Sequence, residues 1–138
     1  MAFIGRVEEI WPGTLERVVA MGLDGDWLDE ATSYQLINTL LLDLNLIPVI
    51  DQPRPKNSLT LRAGFQLVED LLNYGDAEME DAAAIEVPET FGLRPDYYAK
   101  VRPLAGPALT VRLDSVHNWR PDPDRRSRHL RALQDPEP

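Results

Sequence analysis

Few residues in this chain have the type and spacing that chemistry requires. There are two histidines, His117 and His129, and no cysteine. Neither histidine stands beside a serine or aspartate in a nucleophile motif. No His-x-x-x-His pair offers zinc two ligands on one helix face, and no glycine pattern cradles a phosphate. His117 reads as a residue on the face of the last helix. The segment Asp24-Gly25-Asp26-Trp27-Leu28-Asp29-Glu30 clusters the oxygen ligands that a hard cation prefers. It lacks the glycine and terminal glutamate of an EF-hand loop, and reads as a glycine turn whose acids cap the helix that follows. Glu86 and Glu89 are three residues apart, as metal-sharing carboxylates are, yet the Glu-x-x-His partners of helical-bundle metal sites are missing. The reading is therefore no catalytic residues, no metal and no cofactor.

The remaining concentration of chemistry is charge. Between Ala63 and Leu93 the chain carries eight carboxylates, Glu69, Asp70, Asp76, Glu78, Glu80, Asp81, Glu86 and Glu89, and no lysine or arginine. An acidic face selects and accelerates encounters with a basic partner, while tight binding needs a few buried anchors. Tyr74 lies inside this run and is the aromatic candidate closest to it, with Trp27, Tyr97 and Tyr98 elsewhere. The candidate partner-binding residues are thus Tyr74 and those eight acids. The competing reading is a solvated face that serves solubility.

The charge is unevenly spread. Met1 to Leu93 has 17 acids and 5 bases, whereas Arg94 to Pro138 has 6 and 9, for a total of −9. Nucleic-acid binding rests on Lys and Arg displacing counterions, so the body of the chain excludes it. The absence of cysteine fits a reducing cytoplasm. Met1 to Glu9 lacks the apolar stretch of a signal peptide. The most apolar segment, Leu36 to Ile50, contains Asn38, Asp43, Asn45 and Pro48 and falls short of the ~20 apolar residues of a spanning helix. It reads as core rather than membrane.

The elements that must carry these residues are helical. Thr14 is a plausible N-cap for a helix through Leu15, Val18, Val19 and Leu23, ended by Gly22 and Gly25. Leu36, Ile37, Leu40, Leu41 and Leu44 form one broad apolar stripe. Pro48 to Asn57, with three prolines, reads as an extended connection. Ser58 opens a helix that buries Leu61, Phe65, Val68 and Leu72, with Leu67 and Leu71 widening the face. Gly75 closes it and Asp76 caps the next helix, which buries Met79, Ala82 and Ala83, with Ile85 and Val87 as further candidates, until Pro88 ends or kinks it. Pro95 starts a short helix through Tyr97, Tyr98, Val101 and Leu104. Gly106-Pro107 then restarts the chain into Leu109, Leu113 and Val116. Ala108 to Leu113 also alternates like a strand, but no partner strand is evident.

The expectation is an all-α, compact single domain of about five to seven helices over residues 1–120, built from helical hairpins like the local unit of an α-solenoid. A charged, proline-rich tail, 121–138, follows and reads as flexible. The segment Phe65 to Ala83, with Glu69, the Gly75-Asp76 turn, Val87-Pro-Glu89 and the later Leu104-Ala-Gly106-Pro107, resembles a loosely defined group of small all-helical bacterial toxin-immunity proteins. It spans about half of the chain. The resemblance implies a non-enzymatic cytoplasmic protein that binds and blocks a basic toxin domain, with Glu69 and Glu89 orienting the hairpin. A helical scaffold or adaptor without a toxin partner is the alternative, and a hydrolase using the acids from Asp76 to Glu89 is the remaining one.

Overall fold

The computed structural model describes residues 3–52 and 58–119. Among these are eight helices and no strand: α1 Phe3–Ile10, α2 Thr14–Ala20, α3 Gly25–Glu30, α4 Ser33–Ile50, α5 Ser58–Tyr74, α6 Ala77–Gly92, α7 Pro95–Val101 with a 3₁₀ turn over Arg102–Leu104, and α8 Pro107–Trp119. The all-α expectation holds, with one helix more than the range expected. The expected tail, 121–138, lies outside the described residues.

The core follows the apolar periodicity. Ile37, Leu40, Leu41, Leu61, Phe65, Val68, Leu72, Met79 and Ala83 are buried, as are Leu67, Leu71, Ala82 and Val87, whereas Leu36 and Leu44 sit half-buried at its edge. Phe91 lies at the centre, edge-on to Phe65 at 6.0 Å and to Tyr97 at 5.6 Å. Helix α6 packs on α5, α7 and α8 and on the first half of α4. Its Ala82 and Ala83 are fully buried, and at Gly92 an added Cβ would stand 3.0 Å from a methyl of Val116 on α8. Trp11 closes the other side, its ring so close to Gly64 of α5 that a Cβ there would lie 2.6 Å from Cη2. Ile85 is exposed, on the same face of α6 as the exposed Glu78, Asp81 and Glu89.

Several local expectations are corrected. Helix α1 adds an element, with Phe3 and Val7 buried one turn apart. The hydroxyl of Thr14 does not cap α2 but donates to Trp11 O at 2.7 Å. Gly13 is the N-cap at φ +92°, and the missing side chain is supplied by Glu8, whose two oxygens accept from Gly13 N at 2.9 Å and Leu15 N at 3.1 Å. Gly22, at φ +88°, closes α2 with Gly22 N bonded to Val19 O and Leu23 N to Val18 O, the two bonds of a Schellman end. The acidic loop is itself a helix, α3, capped by Asp24 through Trp27 N at 3.0 Å. It does not cap α4, which starts from a Thr32/Gln35 capping box.

The prolines behave differently from the expectation too. The chain stays helical through Pro48 to Ile50, so the extended connection does not begin there, and residues 53–57 lie outside the described set. Helix α6 runs past the buried Pro88 to Gly92 instead of ending at it. Ala108 to Leu113 is helical, as expected. Helix α4 is the one described helix long and apolar enough to cross a membrane by length and composition, at mean hydropathy 1.2. Its Ile37, Leu40, Leu41, Leu42, Leu46 and Ile50 are buried in the fold.

Candidate functional site

The candidate residues separate into those turned inward and those left outside. Glu69 is buried, and its carboxylate reaches from α5 to the start of α8, where Oε1 accepts from Ala108 N at 2.6 Å and Oε2 from Leu109 N at 3.2 Å. A free helix N-terminus has orphan donors and a positive dipole end, so a carboxylate there is both a cap and a counter-charge. Gly106 has no side chain to accept from Ala108 N and Leu109 N, so the acceptor comes from Glu69 on α5. Glu69 therefore faces the core as a structural cap.

Asp70 is half-buried between two partners on the outer side of α5. Its Oδ2 accepts from Arg6 of α1 at 2.8 Å and its Oδ1 from Gln66 at 2.9 Å. The Arg6 bond, followed by the Gln66 bond, holds its carboxyl below the usual aspartate range. Asp76 caps α6 through Met79 N at 2.9 Å. Glu78 and Glu80 lie in the first turn of α6, where their charge opposes the dipole. Much of the acidic run is thus a set of helix-terminus counter-charges, and this is why the acids cluster around helix starts.

What remains outside is a stripe. Glu78, Asp81, Ile85 and Glu89 follow one another at i, i+3, i+7 and i+11 on one face of α6, and all are exposed among the described residues, while Glu80 and Glu86 flank it half-buried. Tyr74, at the end of α5, is 78% exposed. At the N-terminal end of the stripe Glu78 and Asp81 share a concavity of about 320 Å³ with Thr32, Ser33 and Tyr34 from the start of α4. Tyr34 was not among the residues singled out from sequence. It stands in the first turn of α4, outside the apolar stripe, and its meeting with α6 is a tertiary event.

A second cleft, of about 420 Å³, runs between α5 and the Pro103–Gly106 connection, with Arg62 and Gln66 on one wall and the Glu69 carboxyl at its floor. The other polar cluster joins α7 to α8. Tyr98 OH donates to Asp114 Oδ1 at 2.6 Å, Arg102 donates to both Asp114 oxygens, and the Tyr98 ring stacks on His117 at 3.7 Å. The Arg102 and Tyr98 bonds lower the Asp114 carboxyl, and Asp114 in turn raises the Tyr98 phenol. His117 thus stands on a helix face, as the sequence reading has it, and the structure adds its stacking on Tyr98 beside the Arg102–Asp114 ion pair; His129 lies outside the described residues. Among the described residues no group of three or more His, Asp or Glu side chains is placed to hold a metal ion. Comparison with known proteins gives no match to any family model, curated protein or solved structure.

Proposed function

We propose that this chain is a non-enzymatic, cytoplasmic protein-binding module that receives a basic partner on the outer face of the α5–α6 hairpin, and that the partner is a toxin domain it covers and inhibits. The observation that carries the reading is the α6 stripe. Glu78, Asp81 and Glu89 make no hydrogen bond or ion pair through their side chains among the described residues, and Ile85 between them is 44% exposed. Carboxylates left free beside an exposed aliphatic side chain and the Tyr74 ring combine steering charge with apolar contact area, the two ingredients of a selective interface. The concavity beside Tyr34 gives the stripe relief at one end.

The competing reading is a helical scaffold without a toxin partner. It is favoured by the inward use of Glu69, Asp70 and Asp76, which accounts for part of the charge without a ligand. A pull-down from the source cell with tagged wild-type chain, set beside the triple reversal Glu78→Lys, Asp81→Lys, Glu89→Lys, decides between them. The inhibitor reading expects a basic protein captured by wild type, lost on the reversal and weakened as salt rises, since exposed charges are screened beyond ~8 Å at physiological ionic strength. Capture indifferent to both salt and reversal assigns the face to solvation.

A further inference from the structure

Helix α4 departs from α-helical geometry over much of its length. From Ile37 to Leu46 its backbone is π-helical over ten residues, with Ile47 N bonded to Leu42 O, five residues back. Most π segments are single-turn bulges, so a stretch of this length needs a cause. Pro48 stands four residues after Leu44 and has no N–H to give to the Leu44 carbonyl. Arg17 of α2 supplies that donor instead, Nη1 to Leu44 O at 2.7 Å.

The same guanidinium is tied down on both sides. Arg17 Nη2 donates to Asn45 Oδ1 at 2.6 Å and to Thr14 Oγ1 at 3.1 Å, and the buried Asn45 donates through Nδ2 to Leu40 O at 2.6 Å and Thr14 Oγ1 at 3.3 Å. Two backbone carbonyls of the π segment, at Leu40 and Leu44, are therefore held from the side by one clamp rooted in α2. The C-terminal end of α4 is pinned separately to α7. Tyr97 OH donates to Asp51 Oδ1 at 2.5 Å and Lys100 Nζ to Ile50 O at 2.9 Å. The N-terminal turn, Ser33–Leu36, has no fully buried residue, and neither does α3 before it.

We propose that α4 is a two-register element: the missing Pro48 N–H and the Arg17–Asn45 clamp are both required for its π register, and that register sets where Tyr34 stands against Glu78 and Asp81. A turn closed at i+5 packs more residues into the same axial length than one closed at i+4. Relaxation to the α register lengthens the helix, and with Ile50 pinned the displacement emerges at the Ser33–Leu36 end, which packs on α6 without a fully buried residue. The clamp thereby controls the concavity beside the acidic stripe. That consequence rests on reading the stripe as the interface; the two registers do not.

The chain has no cysteine, so the full-length protein accepts a pair of spin labels at Tyr34→Cys and Ile85→Cys, both exposed positions, with Ile85→Cys and Val111→Cys as the control pair. Two substitutions are introduced separately: Arg17→Met, which removes the clamp, and Pro48→Ala, which restores the donor the α register lacks and removes no contact of the clamp. Both should keep the helical dichroism and add a second, displaced 34-to-85 distance, while the 85-to-111 distance stays put. Wild-type 34-to-85 distances in the folded Pro48→Ala protein overturn the proposal, as does a change in both pairs at once. Should Arg17→Met not fold, Pro48→Ala decides alone. Because the readout needs no partner, its failure is distinct from failure of the partner-binding reading.

Discussion

The Glu69 carboxylate occupies the space a side chain on Gly106 would fill: a Cβ built on Gly106 stands 2.6 Å from the Glu69 carboxyl carbon. The two positions act as one cap, the glycine leaving room and the glutamate supplying the acceptor from another helix. Glu8 likewise caps α2 from outside that helix, but there a Cβ would meet nothing within 4 Å and the glycine serves its φ of +92° instead. Glu69→Ala should therefore cost about 1–3 kcal/mol, the loss expected when buried N–H groups are left without acceptors. Gly106→Ala should cost a similar amount by displacing the carboxylate. The double variant should be clearly less destabilised than the sum, because each change removes the same cap. Urea unfolding of the four proteins checks this, and strict additivity refutes it.

Phe65 is buried and makes an edge-on contact with Phe91. Phe65→Ala should lower stability by about 3–5 kcal/mol. A loss below about 1 kcal/mol in denaturant titration would mean that this ring does not fill the core.

Asp70 gives an acid-side prediction. Its folded carboxyl is held below the unfolded value by the Arg6 bond first and the Gln66 bond second. The unfolded chain therefore takes up the proton first as pH falls. The stabilisation is present above the unfolded pKa of about 3.9 and is lost as pH drops through the lower folded value. Asp70→Asn should flatten the decline of the thermal midpoint below about pH 4 while lowering it near neutrality. A variant with the wild-type acid limb assigns that decline to other carboxyls.

Tyr97 gives the alkaline counterpart. Its bond to Asp51, followed by burial, raises the phenol above its ordinary value. Here the unfolded chain loses its proton first, so the stabilisation is complete below about pH 10 and disappears as pH rises through the folded value. Tyr97→Phe should cost about 0.5–1.5 kcal/mol near neutrality and reduce the slope of stability against pH above that point. Equilibrium unfolding across the alkaline range measures both effects.

The helical elements were legible because their signals are local. Apolar spacing located Leu61, Phe65, Val68 and Leu72, Gly75-Asp76 marked a hairpin turn, and Gly106-Pro107 marked a restart. The prolines misled for a physical reason. Pro48 removes one donor, which normally ends a helix, but Arg17, 27 residues away from the carbonyl it serves, replaces it. Nothing near Pro48 in sequence announces that replacement.

By itself the sequence determined the all-helical class, most of the buried face and the concentration of acid between Ala63 and Leu93, since periodicity, capping residues and charge are properties of neighbouring positions. Only the tertiary structure decided which acids look outward. Glu69 and Asp70 are adjacent in the chain, yet one caps α8 from within and the other pairs with Arg6 at the surface, while Asp81 and Glu89 stay free. Successive residues on a helix point about 100° apart, so a contiguous charge run divides among faces, and the fate of each face depends on which distant helix packs against it.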